Sequence, residues 1–418
     1  MHKVTKLDNG LRIVTDTVDH VGSVAGGFWC NTGARYEDET NNGIAHFFEH
    51  MIFQGTEKRS SVQIKEDMED MGASINAYTS YDITSYHYHL LKDDIEHGFD
   101  VFADMIINST FPEKELENER GAILQEIAMY EDTPDAHVDD LAQETAYADQ
   151  ALGRPILGPR ENVKKFTQAD LQDYQNNLMN PSNIVVSLAG NIQHDQAVAM
   201  AEKYFGHLPS AKENTCEKAH YTGGECMVNR DIEQAQIMLQ FEGLSRHEKG
   251  YYAQQLFSSL FGGGMSSRLF QEVREKRGLV YTVQSFARAY SDTGTFTIYA
   301  GTDPEKANEA MHVCLSELAK AAHNVTEREL ERAKAQVRAR LVFAQEKIMS
   351  RADRAARRML FFNDLPNNQK ILDRIEALTI KDVEAAAQHL LQSKLSRTIL
   401  GRTKSIEDYD KTASHIAA

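Results

Sequence analysis

"EKELENERGAILQEI", residues 113–127, and "ERELERAKAQVRARL", residues 327–341, are two versions of one helical segment in a single chain of 418 residues. Two other stretches recur in the same order. "FFEHMIFQG" (47–55) is similar to "LFSSLFGGG" (256–264), and "MEDMGASINAYTS" (68–80) is similar to "VREKRGLVYTVQS" (273–285). A single repeat with a period near 200 residues indicates a duplicated domain, since solenoids repeat every 20–50 residues or so.

Each copy begins with alternating strand patterns, continues with short helical patterns and further strands, and ends in longer helices. This order predicts an α+β fold built from two homologous domains. The polar stretch "LPSAKENTCEKAHYTGGEC" lies between the copies and is typical of a linker. We therefore predict a first domain over residues 1–208, a linker over 209–226 and a second domain over 227–418.

The composition excludes several classes of protein. With 41% hydrophobic and 26% charged residues the chain is an ordinary globular protein, and its formal net charge of −17 disfavours nucleic acid as a partner. No apolar run approaches the 18 residues that a membrane span needs, and the amino-terminal stretch "MHKVTKLDNGLRIVTDTVD" has no apolar core typical of a signal peptide. We expect a soluble cytoplasmic protein whose acidic surface favours basic ligands or peptides.

The stretch "GIAHFFEHMIFQGT", residues 43–56, places His46 and His50 four residues apart, on one face of a helix. Two neutral imidazoles in this arrangement suit Zn²⁺, and Glu49 lies beside them, where it can act as a general base on a water molecule. The corresponding stretch of the second copy, "YYAQQLFSSLFGGG", contains neither histidine nor glutamate. The imidazoles and the carboxylate are therefore not needed for the shared scaffold, and we predict a catalytic metal site.

The pentad H-F-F-E-H resembles the inverted zinc motif H-x-x-E-H of the pitrilysin/insulinase family of metallopeptidases. "HMIFQGT", "ERGAILQEI", "LGRPILGP" and "GGGMSSRLFQEVREKRGLVYTV" resemble blocks of the branch that contains the β-subunit of mitochondrial processing peptidase. This resemblance implies Glu126 as the third ligand of one Zn²⁺ per chain and Glu119 as a carboxylate that supports catalysis. In the second copy these two positions hold Ala333 and Arg340.

The resemblance also implies where a peptide binds. "INAYTS", with Asn76 and Ala77, is similar to the family's edge strand, which takes an extended substrate as an added strand. His87 and His89 in "SYHYHLL" are two residues apart on a strand, and we predict that they are ordinary strand residues and not a second pair of metal ligands.

Three further substrate-binding residues follow from the resemblance. Arg274 and Tyr281 match an arginine and a tyrosine, seven residues apart, that reach a bound peptide near its scissile carbonyl. Two acids that bind a basic residue in the processing-peptidase branch correspond to Ala136 and Asp140. One acid is kept and one is lost, so we expect only a modest preference for arginine.

The resemblance implies a zinc endopeptidase that hydrolyses extended, basic peptides inside an enclosed cavity. It further implies that each domain is a mostly antiparallel sheet covered by helices, and that four domains, from two chains, enclose the cavity; we expect a homodimer. Two alternatives have the same fold or a similar site: a non-catalytic core-type subunit, and a metal-binding module that does not hydrolyse. The non-catalytic subunits usually lack the H-x-x-E-H residues, all of which are present here.

Overall fold

The computed structural model describes residues 2–178 and 180–416, which form two compact units. Each unit has its own β-sheet and its own helices, so the predicted α+β fold with two similar domains is confirmed. None of the helices in the described part of the chain is long and apolar enough to cross a membrane.

Unit 1 contains a six-stranded sheet. Its strands are β1 (His2–Lys6), β2 (Arg12–Thr17), β3 (Ser23–Cys30), β4 (Ser74–Thr79), β5 (Thr84–Leu91) and β6 (Ile184–Gly190). They lie in the order β1-β2-β6-β3-β5-β4, and every pair is antiparallel except β2 with β6. Strand β4 is therefore an edge strand that pairs only with β5, with Asn76 opposite His87 and Thr79 opposite Thr84.

Unit 2 contains a five-stranded sheet. Its strands are β7 (Gly224–Asn229), β8 (Ala235–Gly243), β9 (Val280–Ala289), β10 (Gly294–Thr302) and β11 (Ser396–Gly401). They lie in the order β7-β11-β8-β10-β9, and only β7 with β11 is parallel. The first residues of β7 lie inside the stretch that the sequence predicts as a linker, because parallel pairing with β11 draws Gly224–Asn229 into the sheet.

Helices make up much of the rest of the described chain. They are α1 (Ile44–Met51), α2 (Ser61–Asp70), α3 (Ile95–Asn108), α4 (Glu113–Asp132), α5 (Pro134–Ala146), α6 (Arg160–Val163), α7 (Gln168–Leu178), α8 (His194–Phe205), α9 (Tyr251–Gly262), α10 (Ala307–Ala321), α11 (Glu327–Glu346), α12 (Ile348–Phe362), α13 (Asn368–Glu376), α14 (Ile380–Leu391) and α15 (Tyr409–Ser414). A single π-helical turn spans Phe270–Glu275.

Each face of the unit 1 sheet is covered by helices. Residues that alternate along the strands, such as Phe28 and Tyr86, face a large apolar core shared with α1, α3 and α8. The residues between them, such as Trp29 and Val185, pack on the other face against the alanine-rich side of α12. The α1 side holds the predicted metal residues.

The two units exchange segments along the chain. Unit 1 comprises residues 1–128, 154–217 and 342–366, and unit 2 comprises residues 129–153, 218–341 and 367–418. Helix α12 thus comes from the second sequence copy yet packs on the first sheet, and α5 comes from the first copy yet packs on the second sheet. The two units therefore differ from the continuous domains predicted above. Helical periodicity identifies the apolar face of a segment but not the sheet that this face covers.

Candidate metal centre

The centre is built on α1, a short helix whose first turn is held by a distant carboxylate. Gly43 precedes α1 with φ of 99°, a left-handed conformation that favours glycine. The buried side chain of Glu37 accepts hydrogen bonds from the backbone N–H groups of Gly43 (2.8 Å) and Ala45 (2.8 Å) and from the Asn42 amide (2.9 Å). These N–H groups have no partner within the helix, so Glu37 serves as an N-terminal cap supplied from outside it.

Burial of Glu37 raises the pKa of its carboxyl to about 7, against the opposing effect of these hydrogen bonds. The segment 154–159 adds a second support for the start of α1, since the Asn42 amide also donates to the Pro155 carbonyl at 3.0 Å. A Cβ on Gly43 would approach the Leu157 carbonyl oxygen to 2.7 Å, so this contact requires glycine as well. The orientation of α1 is therefore tightly constrained.

His46, His50 and Glu126 converge at one point in unit 1. The imidazole rings of His46 and His50 have centroids 4.8 Å apart. Glu126 Oε2, on α4, lies 3.6 Å from His46 Nε2 and 3.5 Å from His50 Nε2. One possible ligand atom from each of the three side chains lies within 4.8 Å of those of the other two.

These three side chains fit a zinc ion. Two donors bound at 2.0–2.1 Å to one tetrahedral ion are about 3.3 Å apart, close to the observed separations between Glu126 and each imidazole. Two imidazoles and one carboxylate are a donor set that catalytic zinc sites use, and such sites leave the fourth position for water or substrate.

Glu119 contacts the opposite side of the His50 ring. Its Oε2 lies 2.9 Å from His50 Nδ1, and its Oε1 accepts a hydrogen bond from the Gln54 amide at 2.7 Å. This contact fixes the His50 ring with Nε2 towards Glu126, and both Glu119 oxygens already have partners in His50 and Gln54.

The charges around the cluster differ between the two imidazoles. Burial, reinforced by His50, lowers the pKa of His46 to about 4, so His46 is neutral and ready to bind a cation. Burial also acts to lower the pKa of His50, but contacts with Glu119 and Glu126 outweigh it and raise this pKa to about 9. Contact with His50 lowers the pKa of Glu126. A bound cation therefore competes with the His50 proton.

Glu49 lies on the same helix, offset from the two imidazoles. Its Oε2 accepts a hydrogen bond of 2.5 Å from the hydroxyl of Thr79, at the end of edge strand β4. Burial raises the pKa of the Glu49 carboxyl, and the Thr79 hydrogen bond opposes part of this shift. A carboxylate with a raised pKa is a stronger base than an ordinary glutamate.

Helix α4 is fixed against α1 by Arg120, which the sequence did not single out. Its guanidinium lies over the Phe47 ring, 5.6 Å from the centroid, and donates to the Val163 carbonyl and, at 2.7 Å, to the Phe166 carbonyl. Glu37, Gln54, Thr79 and Arg120 were all missed because none belongs to the H-F-F-E-H pattern. Glu37 lies six residues before Gly43, the residue that precedes α1. Its burial distinguishes it from other glutamates, but a single sequence does not show burial.

The predicted substrate-binding residues lie in both units. Asn76 and Ala77 are on edge strand β4 of unit 1, as expected from the sequence, with Asn76 exposed. His87 and His89 are strand residues of β5: His87 stacks near Trp29, and His89 lies 2.9 Å from the Ser23 hydroxyl.

Arg274 and Tyr281 lie close together in unit 2. The Arg274 guanidinium is 5.5 Å from the centroid of the Tyr281 ring and 4.8 Å from that of Phe270, and Tyr281 is 72% exposed. Arg274 belongs to the π-helical turn, a conformation that is frequent at functional sites.

Asp140 lies on α5 of unit 2 in an acidic environment. Burial, together with the neighbouring Asp139 charge, raises the pKa of Asp140 to about 6. Asp139 accepts a hydrogen bond from Arg288 at 2.8 Å, and the Arg288 charge also opposes part of the rise in the pKa of Asp140, but Asp140 accepts no hydrogen bond from any of the described residues. A basic group brought to Asp140 would relieve this unfavourable burial.

A second group of possible ligands, His312, Glu407 and His415, lies in unit 2. The two rings stack with centroids 3.7 Å apart, His312 hydrogen-bonds to Glu407, and Lys411 Nζ lies 3.2 Å from the other Glu407 oxygen. The lysine supplies a positive charge to this carboxylate, and the cluster links the residues on either side of α15 to His312 of α10.

Two family models match the chain. Residues 12–160 match the model described as insulinase (peptidase family M16), and residues 165–337 match that described as peptidase M16 inactive domain.

Similar proteins and structures agree with these matches. An uncharacterized zinc protease of Rickettsia felis is 37% identical over 95% of this chain and 97% of its own length. The uncharacterized zinc protease YmxG of Bacillus subtilis is 36% identical over 91% of this chain and 94% of its own. A protease structure from Helicobacter pylori, 22% identical, superposes with a TM-score of 0.88 over 96% of this chain and 99% of that one. A structure from Pseudomonas fluorescens, described as a peptidase M16 inactive domain, is 20% identical and has a TM-score of 0.90 over 97% of this chain and 100% of that one.

Proposed function

Because this chain belongs to the insulinase (M16) family of peptidases, we propose that it is a zinc endopeptidase that hydrolyses extended, preferably basic, peptides. The observation that carries the proposal is the convergence of His46, His50 and Glu126 with Glu49 on the same helix. A purely structural cluster has no need for a buried carboxylate beside its ligands.

We assign one zinc ion per chain to His46, His50 and Glu126. When bound, zinc polarises the scissile carbonyl and lowers the pKa of a coordinated water. Glu49 takes a proton from the attacking water and passes it to the leaving amine, while Thr79 holds the Glu49 carboxylate in place. Glu119 keeps the His50 ring in the orientation that exposes its Nε2.

Substrate binding is assigned to residues of both units. An extended peptide pairs with the free edge of β4 at Asn76 and Ala77, so affinity comes largely from backbone hydrogen bonds. Arg274 and Tyr281 donate to the carbonyl oxygen as negative charge develops on it. Asp140 binds a basic side chain, and the missing second acid at Ala136 keeps this preference modest.

We also propose that the active protein is a homodimer that encloses the peptide in a cavity. The net charge of −17 favours acidic walls around a basic substrate. Light scattering of the purified protein should give twice the mass of the chain; a mass equal to one chain would contradict the dimer.

The test of function combines metal analysis with hydrolysis of quenched fluorescent peptides. We expect one zinc per chain, cleavage of an unstructured basic peptide, loss of cleavage after chelation, and recovery when zinc is restored. Zinc binding without cleavage of any peptide in a set of varied sequence and length would favour the metal-binding module. Neither zinc nor cleavage would favour the non-catalytic subunit.

A further inference from the structure

Unit 2 has its own group of potential metal ligands, His312, Glu407 and His415, which is called the second cluster below. One possible ligand atom from each side chain lies within 4.8 Å of those of the other two. Glu407 Oε1 hydrogen-bonds to His312 Nε2, and the His415 ring stacks on the His312 ring. Two imidazoles and one carboxylate are the same donor types that converge at the candidate metal centre of unit 1.

The backbone around the second cluster is held by a residue that is not one of the ligands. Asn308 of α10 lies one helical turn before His312 on the same face. Its amide donates to the Ser405 carbonyl at 2.8 Å, and its side-chain oxygen accepts a hydrogen bond from the Glu407 N–H at 3.1 Å. The segment that carries the carboxylate is therefore fixed to α10 independently of the side chains of the cluster.

The donor groups of the second cluster differ in their partners. The Glu407 side chain is only 7% exposed, and its Oε1 also accepts a hydrogen bond from the Thr412 hydroxyl at 3.0 Å. The His415 ring makes no hydrogen bond to any residue in the described part of the chain. An imidazole without a hydrogen-bonding partner, next to a largely buried carboxylate, is free to bind an ion.

A bound ion requires a small rearrangement of the second cluster. Two imidazoles on one tetrahedral zinc ion have ring centroids about 5 Å apart. The His46 and His50 rings have nearly this spacing, at 4.8 Å, whereas the His312 and His415 rings are 3.7 Å apart. The His415 ring therefore moves away from His312 by about 1 Å, and the ion replaces the hydrogen that His312 and Glu407 share.

The donor types select the class of ion. Mg²⁺ and Ca²⁺ take mainly oxygen ligands, whereas Zn²⁺, Ni²⁺ and Cu²⁺ bind imidazole well. The one nearby group that opposes a cation is Lys411, whose Nζ lies 3.2 Å from Glu407 Oε2. The Lys411 side chain is 68% exposed, so water screens this repulsion.

We propose that the second cluster binds one transition-metal ion, foremost Zn²⁺, which links the segment 403–416 to α10. Ile406, Tyr409 and Ala413 of this segment pack against the core of unit 2, so the ion strengthens an existing association. The rearrangement and the Lys411 charge make this ion less tightly held than the one assigned to unit 1. Extensive dialysis therefore empties the second cluster and leaves one zinc per chain. The inference does not depend on the proposed peptidase activity.

The test titrates metal into dialysed protein that retains one zinc per chain. Calorimetry with Zn²⁺ should show a second ion bound per chain, whereas Mg²⁺ should show no binding. His312→Ala and His415→Ala each remove one donor and should weaken the second binding event at least about 10-fold, since even the partners of metal ligands contribute that much. His323→Ala, at an exposed histidine just after α10, is the matched control and should bind the second ion as wild type does.

Two further measurements distinguish a bound ion from a cluster that only joins two segments. Lys411→Gln removes the opposing charge and should tighten Zn²⁺ binding by up to about 5-fold, the usual worth of an exposed ion pair. The second ion should also slow trypsin cleavage after Lys404, an exposed residue of segment 403–416, in wild type and not in His415→Ala.

Ion binding and peptide hydrolysis are read separately. If the protein cleaves no peptide but binds an ion that His415→Ala loses, the proposed activity fails and the second cluster stands. Failure of wild type to bind any ion beyond the one lost in His46→Ala would overturn the inference. Second-ion binding that is unchanged in His415→Ala would show an adventitious ion only; this variant decides the matter if His312→Ala does not fold.

Discussion

Helix α1 of unit 1 and helix α9 of unit 2 come from the two copies of one sequence, and they use their polar positions differently. In α9, Gln254 Oε1 accepts a hydrogen bond from the Leu244 N–H at 2.9 Å. Ser258 and Ser285 exchange hydrogen bonds between side chain and backbone, and the Ser259 hydroxyl lies 3.1 Å from Gln336 Oε1 of α11. Each of these polar groups serves the packing of its own unit.

At α1, the side chains of His46 and His50 contact Glu119 and Glu126 of α4 at a partly exposed point. Glu49 lies beside them on the same helix. Two imidazoles and three carboxylates at this distance do not improve a core, since buried charges are costly unless they are neutralised. Duplication preserved the apolar frame of both helices, whereas the two histidines and the glutamate of the candidate metal centre are present in α1 and absent from α9. Removing the functional groups from α1 should therefore leave a folded unit, like that around α9.

The largest effect is expected from Glu49→Gln. The variant should retain zinc but lose about 10²–10⁴-fold or more in kcat, because it lacks the base and keeps all three ligands. Zinc content and steady-state cleavage of a quenched peptide measure the two quantities. Glu113→Gln at the exposed start of α4 is the matched control, with expected activity close to wild type; near-wild-type cleavage by Glu49→Gln would refute the role of Glu49.

Replacing any one of the three proposed zinc ligands should reduce zinc binding, whereas replacing a polar residue of α9 should not. His46→Ala, His50→Ala and Glu126→Gln each remove one of three donors, so we expect zinc occupancy to fall well below one per chain and activity to fall with it. Elemental analysis after dialysis gives the occupancy. As a control, Gln254→Ala in α9 should leave the zinc content unchanged. Full zinc occupancy in Glu126→Gln would show that another residue is the third ligand.

A smaller effect is expected from Glu119→Gln, which keeps the Gln54 neighbour but weakens the contact with His50 Nδ1. Partners of ligands typically contribute 10–100-fold to metal affinity or activity. We expect turnover to fall more than zinc content, measured on the same zinc-loaded sample. A larger loss of zinc from Glu119→Gln than from Glu126→Gln would reverse the assignment of the two acids.

The last prediction concerns stability and not activity: it tests Glu37, whose carboxylate caps the start of α1 from outside the helix. The folded-state pKa of Glu37, about 7, is above the usual value of 4.5. The folded protein therefore binds this proton more tightly, and the stability due to it is present below pH 4.5 and declines as the pH rises to 7. The decline corresponds to a few kcal/mol, about 1.4 per unit of pKa shift.

Glu37→Gln cannot titrate and should lack this decline. The free energy of unfolding of wild type and variant, measured by denaturant between pH 4.5 and 8, gives the difference directly. Parallel pH profiles for the two proteins would show that Glu37 is not buried with a raised pKa.

Several features were predictable from the sequence because they depend on local spacing. Helical geometry alone puts His46 and His50 on one face, and the recurrence of residues 113–127 at 327–341 indicates the duplication. Glu126 could be distinguished from Glu117 only through the family spacing, since both lie on one acid-rich helix. In the structure Glu126 Oε2 lies near both imidazoles, whereas Glu117 pairs with Arg120 at the surface.

The sequence by itself determined the α+β class, the two copies, the motif on α1 and the contrast with α9, because each is a pattern within a short stretch of chain. Only the tertiary structure decided that α5 and α12 cover the sheet of the other copy, and that Glu37, Thr79 and Arg120 hold the centre. It also decided that His312, Glu407 and His415 form one cluster, although 95 residues separate His312 from Glu407. Such contacts depend on which apolar faces pack together, and that choice follows from the shape and burial of the whole core, which no local pattern contains.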